Sequence, residues 1–308
     1  MSEILYLSPH ADDVAFSAAG QLARDVSTGA RVTLLTLFTP PGDPDAATGN
    51  RASFADRAAR RAEDEAFARA FGATLAWGPW SDAIVRRRRY HTPQQLFSPL
   101  RRDEAPLVEA VRAELQARVD AGCMRVVAPL GVGGHVDHQI THAAAAQLVG
   151  ASLAFYEDTP YVLTRYQLPR RFARLDATVD PRRRDADVTL ARGSVRAELR
   201  AAHATWMSAP LVQASVGPRL RRLAVAMALT PELTRWPRRS LPRSRQLSPA
   251  IVSAPSLAEV KLRAIAAYAS QWPLFYRTLD DWRAALLGYA QAMGHTDIVE
   301  RTWQFLDS

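Results

Sequence analysis

The sequence predicts an α/β fold: a mostly parallel sheet flanked by helices, with helical decoration towards the C-terminus. Three observations support this. Apolar runs of strand length alternate with helix-like stretches through about residue 160. The second run, Arg31 to Phe38 (RVTLLTLF), is rich in β-branched and large apolar residues. Strand, helix and strand follow one another closely enough to form a βαβ unit, which requires parallel pairing with a right-handed crossover. The pattern is Rossmann-like.

Taken in order, residues 3 to 8 read as a strand, Ala15 to Ser27 as a helix ending at Gly29, and Arg31 to Phe38 as the second strand. Thr39 to Asn50, with prolines and glycines, reads as a loop. Arg51 to Phe71 reads as a charge-laced helix closed by Gly72, and Thr74 to Trp77 as a short strand. A helix over Glu104 to Asp120 precedes the strand Met124 to Leu130, the Gly-rich loop Gly131 to Gly134, a short Ala-rich helix over 138 to 148, and a fifth strand, Leu153 to Glu157. Beyond residue 160 the pattern loosens. Arginines crowd 165 to 198, a helix is expected over Val195 to Trp206, and Pro218 to Arg245 mixes an apolar core with Arg and Pro. Helices are expected over Ser256 to Ala269, Asp280 to Met293 and Thr296 to Phe305. No linker separates the halves, so residues 1–308 are expected to form one domain, with a core over 3–160 and a basic, helix-rich remainder packed on it.

The chain has 308 residues, 48 % of them hydrophobic, and a formal charge of +8, enough apolar material for a substantial core. Lys261 is the only lysine, so the excess charge is arginine, whose fork suits carboxylates and phosphates. Cys123 is the only cysteine, which excludes an intrachain disulfide and a cysteine zinc knuckle. No apolar stretch reaches the roughly 18 residues needed to cross a bilayer. Met1-Ser2-Glu3 leads straight into the first strand, leaving no room for a secretion signal. The expected location is the cytoplasm. Peripheral contact with an anionic inner-membrane surface through Pro218 to Arg245 is the sharper reading of that segment, a basic lid the blander one. Scattered arginines without a recognisable motif argue against a nucleic-acid partner.

Two clusters carry the chemistry. His10-Ala11-Asp12-Asp13 follows the first strand, and His135-Val136-Asp137-His138 follows the strand Met124 to Leu130. Strand ends of an open parallel sheet are where such folds bind ligands. His10 and Asp13, three apart, can face one ion as strand turns into helix, and His138 completes a His/His/Asp set that suits zinc or another divalent first-row metal better than magnesium. Asp12 is left free as a general base beside the ion. His135 is placed as an acid or an oxyanion donor, with Asp137 holding its tautomer and raising its pKa. The competing reading of Asp12 and Asp13 is helix capping. His142 reads as a core histidine, and His91, His203 and His295 have no companions at ligand spacing. Trp80, Asp82 and Arg86, after the third strand, are expected to line the substrate side, whereas Trp77 is equally a core residue. The run Arg86 to Arg89 reads as a solvated face or a contact to an anionic group.

On these residues the chain resembles the PIG-L/LmbE-type zinc-dependent N-acetylglucosaminyl deacetylases. Pro9-His10-Ala11-Asp12-Asp13 is similar to the family's Pro-His-x-Asp-Asp signature and His135 to His138 to its His-x-Asp-His. Arg60-Arg61-Ala62-Glu63, Tyr156 to Tyr161 and Lys261 to Gln271 look like further family segments. The resemblance implies His10, Asp13 and His138 as zinc ligands, Asp12 as base, and His135 as electrostatic partner oriented by Asp137. It implies hydrolysis of the acetamide of an N-acetylglucosamine-like sugar in a glycoconjugate, a polysaccharide precursor or a small metabolite, with an anionic or lipid-linked substrate among the expectations. A metal-dependent amidase or esterase on another substrate is the alternative; an Arg-rich nucleic-acid-binding module is a third, less favoured one. Ala11, Val14 and Ala19-Gly20 depart from the common family pattern without touching a ligand.

Overall fold

The computed structural model describes residues 3–39, 56–86, 90, 93–164, 167–180 and 245–306. Its strands are β1 (Glu3–Ser8), β2 (Arg31–Thr39), β3 (Thr74–Ser81), β4 (Cys123–Pro129), β5 (Ser152–Tyr156), β6 (Ala177–Val179), β7 (Arg245–Val252) and β8 (Glu300–Leu306). All lie in one sheet in the order β3-β2-β1-β4-β5-β8-β7-β6. The first five pair in parallel, as the βαβ reading requires.

β1 shows how the sequence pattern becomes two cores. Successive side chains point to opposite faces. Leu5 and Leu7 therefore join the face packed by α3 (Ala105–Asp120), α4 (Val136–Ala145) and α5 (Gln167–Arg174), through Val111, Leu115, Ile140 and Phe172. Ile4 and Tyr6 join the face packed by α1 (Asp13–Ser27), α2 (Arg57–Phe71), α6 (Leu257–Ala266) and α7 (Leu279–Ala292), through Phe16, Phe67, Ile265 and Trp282. Burying each such side chain stabilises the fold by roughly 1.5–3 kcal/mol. Because α1 leaves β1 towards one face and α4 leaves β4 towards the other, a crevice opens between the ends of these adjacent strands.

Local details follow from residue chemistry. Asp56 caps α2, accepting from Ala59 N at 3.0 Å, so this helix begins at Arg57, and residues 51–55 of the expected helix lie outside the described residues; Gly72 closes it with φ 71°. β3 runs past the expected Trp77 to Ser81. Gly78 allows this, since a Cβ there would lie 2.5 Å from the Leu37 carbonyl oxygen, beside a register irregularity with β2. The extension brings Asp82 to the crevice.

The C-terminal part is not only helical. Residues 296 to 305, expected as a helix, overlap strand β8, antiparallel to both β5 and β7. Glu300, Arg301 and Thr302 are buried there, and charged residues at buried positions hid the strand from apolar periodicity. Each charge is matched internally. Arg301 Nε donates to Glu157 at 2.6 Å, and Lys261 Nζ donates to Glu300 at 2.8 Å and to Ser17 O at 2.9 Å. Glu300 also accepts from Gly20 N and Gln21 N at 3.0 and 2.8 Å, amides freed where α1 breaks at Ala18 (φ −136°). β7, which the sequence pattern also missed, holds Pro249 where only β8 pairs with it. The expected helix over Val195 to Trp206 and the basic segment to residue 244 lie outside the described residues. Among those described, no helix is long and apolar enough to cross a membrane.

Candidate metal centre

The end of β1 and the start of α1 are folded by their own side chains. Ser8 Oγ donates to His10 O at 2.6 Å and accepts from Val14 N at 3.2 Å, while Pro9 O accepts from Phe38 N at 2.8 Å and ties the turn to β2. Asp12 occupies the N-cap position with φ 136° and ψ −29°, and its side chain makes no capping bond. That conformation costs a non-glycine residue on the order of 1–3 kcal/mol, and such strain gathers at functional sites. The capping alternative for Asp12 is therefore not what the structure adopts. Its carboxylate lies 3.5 Å from Arg60 Nη2, which also donates to Ala11 O at 2.9 Å.

The two clusters meet. Asp13 Oδ2 lies 3.4 Å from His10 Nδ1 and 3.3 Å from His138 Nε2. Those spacings match the edge, about 3.3–3.4 Å, of a tetrahedron whose arms are zinc–ligand bonds of roughly 2.0–2.1 Å. Each imidazole is backed by a carboxylate. His138 Nδ1 is 2.6 Å from Asp158 Oδ1, and His10 Nε2 is 3.0 Å from Asp137 Oδ2. A carboxylate behind one ring nitrogen fixes the proton there and leaves the other nitrogen's lone pair for a metal. Asp158 is held in turn by the amides of Gly131 and Val132, both at 2.7 Å.

Two other donor groupings occur among the described residues: His10, His135 and His138, and His10, Asp82 and Asp137. Hydrogen bonding argues against both as complete ligand sets. His135 Nδ1 accepts from Asp137 N at 3.3 Å, so in the neutral ring Nε2 carries a proton and is a donor. Asp137 already accepts from Ala83 N at 2.9 Å and from Arg86 Nη1 at 2.5 Å, and that guanidinium repels a second cation.

Electrostatics sort the groups. Burial pushes the Asp12 carboxyl up to about 8, against the pull of Arg60. Burial also acts on Asp13, but His138 and His10 outweigh it and hold that carboxyl at about 2. For His10 burial is overcome by Asp82, Asp13 and Asp137, and its pKa rises well above the ordinary value; His138 is raised in the same sense by Asp13 and Asp158. Burial and then His10 push His135 well below the ordinary value, keeping it neutral. The carboxylates thus attract positive charge to His10, His138 and the space between them.

The structure brings His10, Asp12, Asp13, His135, Asp137 and His138 to one buried place. One expected detail changes. The Asp137 carboxylate backs His10, and only its backbone amide reaches His135, because Arg86 and Ala83 N draw the side chain the other way. Nor is His135 raised. Arg86 commits Nη1 to Asp137 and Ser81 O and stacks over Phe38 and Tyr90 at 5.4 and 5.5 Å, while its Nε and Nη2 have no hydrogen-bond partner among the described residues. Asp82 Oδ2 lies 3.6 Å from His10 Nε2; Trp80 packs on Phe38, whose ring is next to His10. Trp77 bonds Asp64 at 3.2 Å as a core residue. His142 is also core, bonded to Pro129 O at 3.0 Å and packed on Phe155. Arg87 to Arg89, His91 and His203 lie outside the described residues. Asp158 was missed as a site residue, although its place just beyond β5 obeys the strand-end logic that found the two clusters.

Comparison with known proteins agrees with this geometry. Residues 5–149 match the family PIG-L, described as GlcNAc-PI de-N-acetylase, a stretch that contains both clusters. Over that stretch the chain is similar to the PIG-L family. The 2′-N-acetylparomamine deacetylase of Streptomyces fradiae is 37 % identical over 166 residues, 51 % of this chain and 57 % of that protein, so the likeness spans little more than half of the relative. Two solved structures share the fold along nearly the whole chain. The A40926 pseudoaglycone deacetylase superposes with TM-score 0.60 at 22 % identity over 98 % of this chain and 96 % of its own. A deacetylase–bog complex from teicoplanin biosynthesis gives TM-score 0.63 at 21 % identity over 100 % and 99 %. The two clusters inside the matched stretch lie at the ends of β1 and β4.

Proposed function

We propose that this protein is a zinc-dependent N-deacetylase of the PIG-L type that hydrolyses the acetamide of an N-acetylated amino sugar carried in a larger conjugate. The observation that supports this best is the pairing of Asp13 Oδ2, at zinc-ligand spacing from both His10 Nδ1 and His138 Nε2, with a buried Asp12 whose side chain makes no cap. The relative named for deacetylating 2′-N-acetylparomamine supports an N-acetylated substrate. We also read residues 1–308 as one domain, since β8 lies between β5 and β7 in a single sheet.

His10, Asp13 and His138 would hold the ion, with Asp137 and Asp158 orienting the two rings. When bound there, zinc supplies a Lewis acid and an acidified water. Asp12, made more basic than an ordinary carboxylate by burial, takes a proton from the attacking water. His135 Nε2–H donates to the oxygen that gains charge as the amide carbon becomes tetrahedral. Asp12 then returns the proton to the nitrogen as the C–N bond breaks, giving acetate and the free amine. Arg60, on Asp12 and Ala11 O, holds the base in its strained position. Asp82 and Trp80 form the side that meets the sugar.

The test is zinc loading of purified protein followed by amine and acetate detection across N-acetylated sugars, aminoglycoside-type and glycopeptide-type conjugates, and simple acyl esters. Zinc-dependent release of equal acetate and amine from an N-acetyl sugar is expected. Turnover of esters alone, or of no acetamide by the loaded protein, would reject the reading.

A further inference from the structure

Four aromatic rings close a loop at the mouth of the centre. His135 lies 5.2 Å from His138, His138 lies 5.9 Å from Tyr161, Tyr161 lies 5.7 Å from Phe97, and Phe97 lies 5.5 Å from His135, all as centroid distances. Tyr161 is fixed there by the Gly-rich turn. Gly133 has φ 83°, and a Cβ on it would sit 2.5 Å from Tyr161 Cγ, so the ring rests against bare backbone.

The Tyr161 hydroxyl makes no hydrogen bond among the described residues. The residue is half-buried, so a ligand can reach that O–H; Tyr276, packed on Trp282, is the other described tyrosine without a bond. Tyr6, Tyr156, Tyr268 and Tyr289 donate to Asp25, Leu7 O, Asp64 and Glu157 at 2.6–2.9 Å, and Tyr90 donates to Glu104.

We propose that Tyr161 is a second hydrogen-bond donor to the substrate's acetamide oxygen, beside His135. It is a substrate-contacting residue that the two family motifs do not include. The ring contacts put it on the same wall as His135 and His138, and a neutral phenol with an uncommitted O–H favours an oxygen that gains negative charge. The proposal rests on the deacetylase reading, and the experiment separates the two.

Tyr161→Phe keeps the ring and removes the donor. Zinc content by metal analysis should match the unchanged protein. With an N-acetyl sugar, kcat should fall roughly 10–100-fold with KM within about twofold, near the lower end for one oxyanion donor. Methylphosphonate, a tetrahedral mimic of hydrated acetate, should bind the zinc-loaded variant about tenfold more weakly by calorimetry. Unchanged methylphosphonate affinity, or a change in KM alone, would overturn the proposal. Failure of the unchanged protein to hydrolyse any acetamide would count against the deacetylase reading, while the methylphosphonate comparison would still decide the place of the Tyr161 donor.

Discussion

Two clusters of buried charge sit on this sheet, and they differ in how their charges are balanced. At β8, Glu300 faces Lys261, and Glu157 faces Arg301, Trp303 Nε1 and Tyr289, so each carboxylate has its cation and its donors within the fold. At the ends of β1 and β4, Asp12, Asp13, Asp82, Asp137 and Asp158 converge, and among the described residues their permanent cations are Arg60, Arg86 and Arg171, fewer than the carboxylates. There the deficit raises His10 and His138. A balanced cluster braces a fold; an unbalanced one attracts a metal ion. The single lysine fits this contrast: it is a brace at the break in α1, paired with Glu300.

The contrast can be broken in order of expected effect. Asp12→Ala should keep its zinc yet lose activity by roughly two to four orders of magnitude, the usual weight of a general base; metal analysis beside the rate would expose a hidden ligand role. Lys261→Met, in the balanced cluster, should lower stability by about 3–5 kcal/mol by stranding Glu300. Denaturant unfolding reads that loss, and zinc affinity of the folded protein should not move. Adding Glu300→Gln should recover part of the stability. Asp158→Asn should weaken zinc by roughly 10–100-fold, as loss of a carboxylate behind a ligand histidine does; competition with a chromogenic chelator measures it, and an unchanged affinity would remove Asp158 from the centre.

The smallest effect concerns a third environment, the neutral buried His142. Burial, with Arg171, pushes its pKa well below the ordinary value of 6.5. A group with a depressed folded pKa gives stability that is fully present above its unfolded pKa and is lost as pH falls towards the folded one. Stability of the unchanged protein should therefore decline as pH drops below about 6.5, and His142→Leu should flatten that part of the profile. Equal slopes in the two proteins between about pH 7.5 and 5 would show that other groups set it.

The metal centre was legible because its residues keep fixed offsets from two strands that announce themselves. Val126, Val127 and Ala128 in β4, like Leu5 to Leu7 in β1, are buried apolar positions, and residues just past the ends of such strands fall in the crevice. Asp158 and Tyr161 were less visible, since a lone Asp or Tyr past a strand has no local signature. β8 was misread because Glu300 and Arg301 stand where apolar residues are expected. Their partners, Lys261 and Glu157, are far away in the chain.

By itself, then, the amino-acid order determined the parallel βαβ core and the identity of the metal-centre motifs. Hydrophobic period and local spacing are short-range properties written residue by residue. Only the tertiary structure decided which carboxylate backs which imidazole, that Asp137 turns to His10 and Arg86 instead of His135, and that the C-terminal chain extends the sheet. Those outcomes depend on pairing between distant charges, whose energy is set by burial and geometry and leaves no periodic trace along the chain.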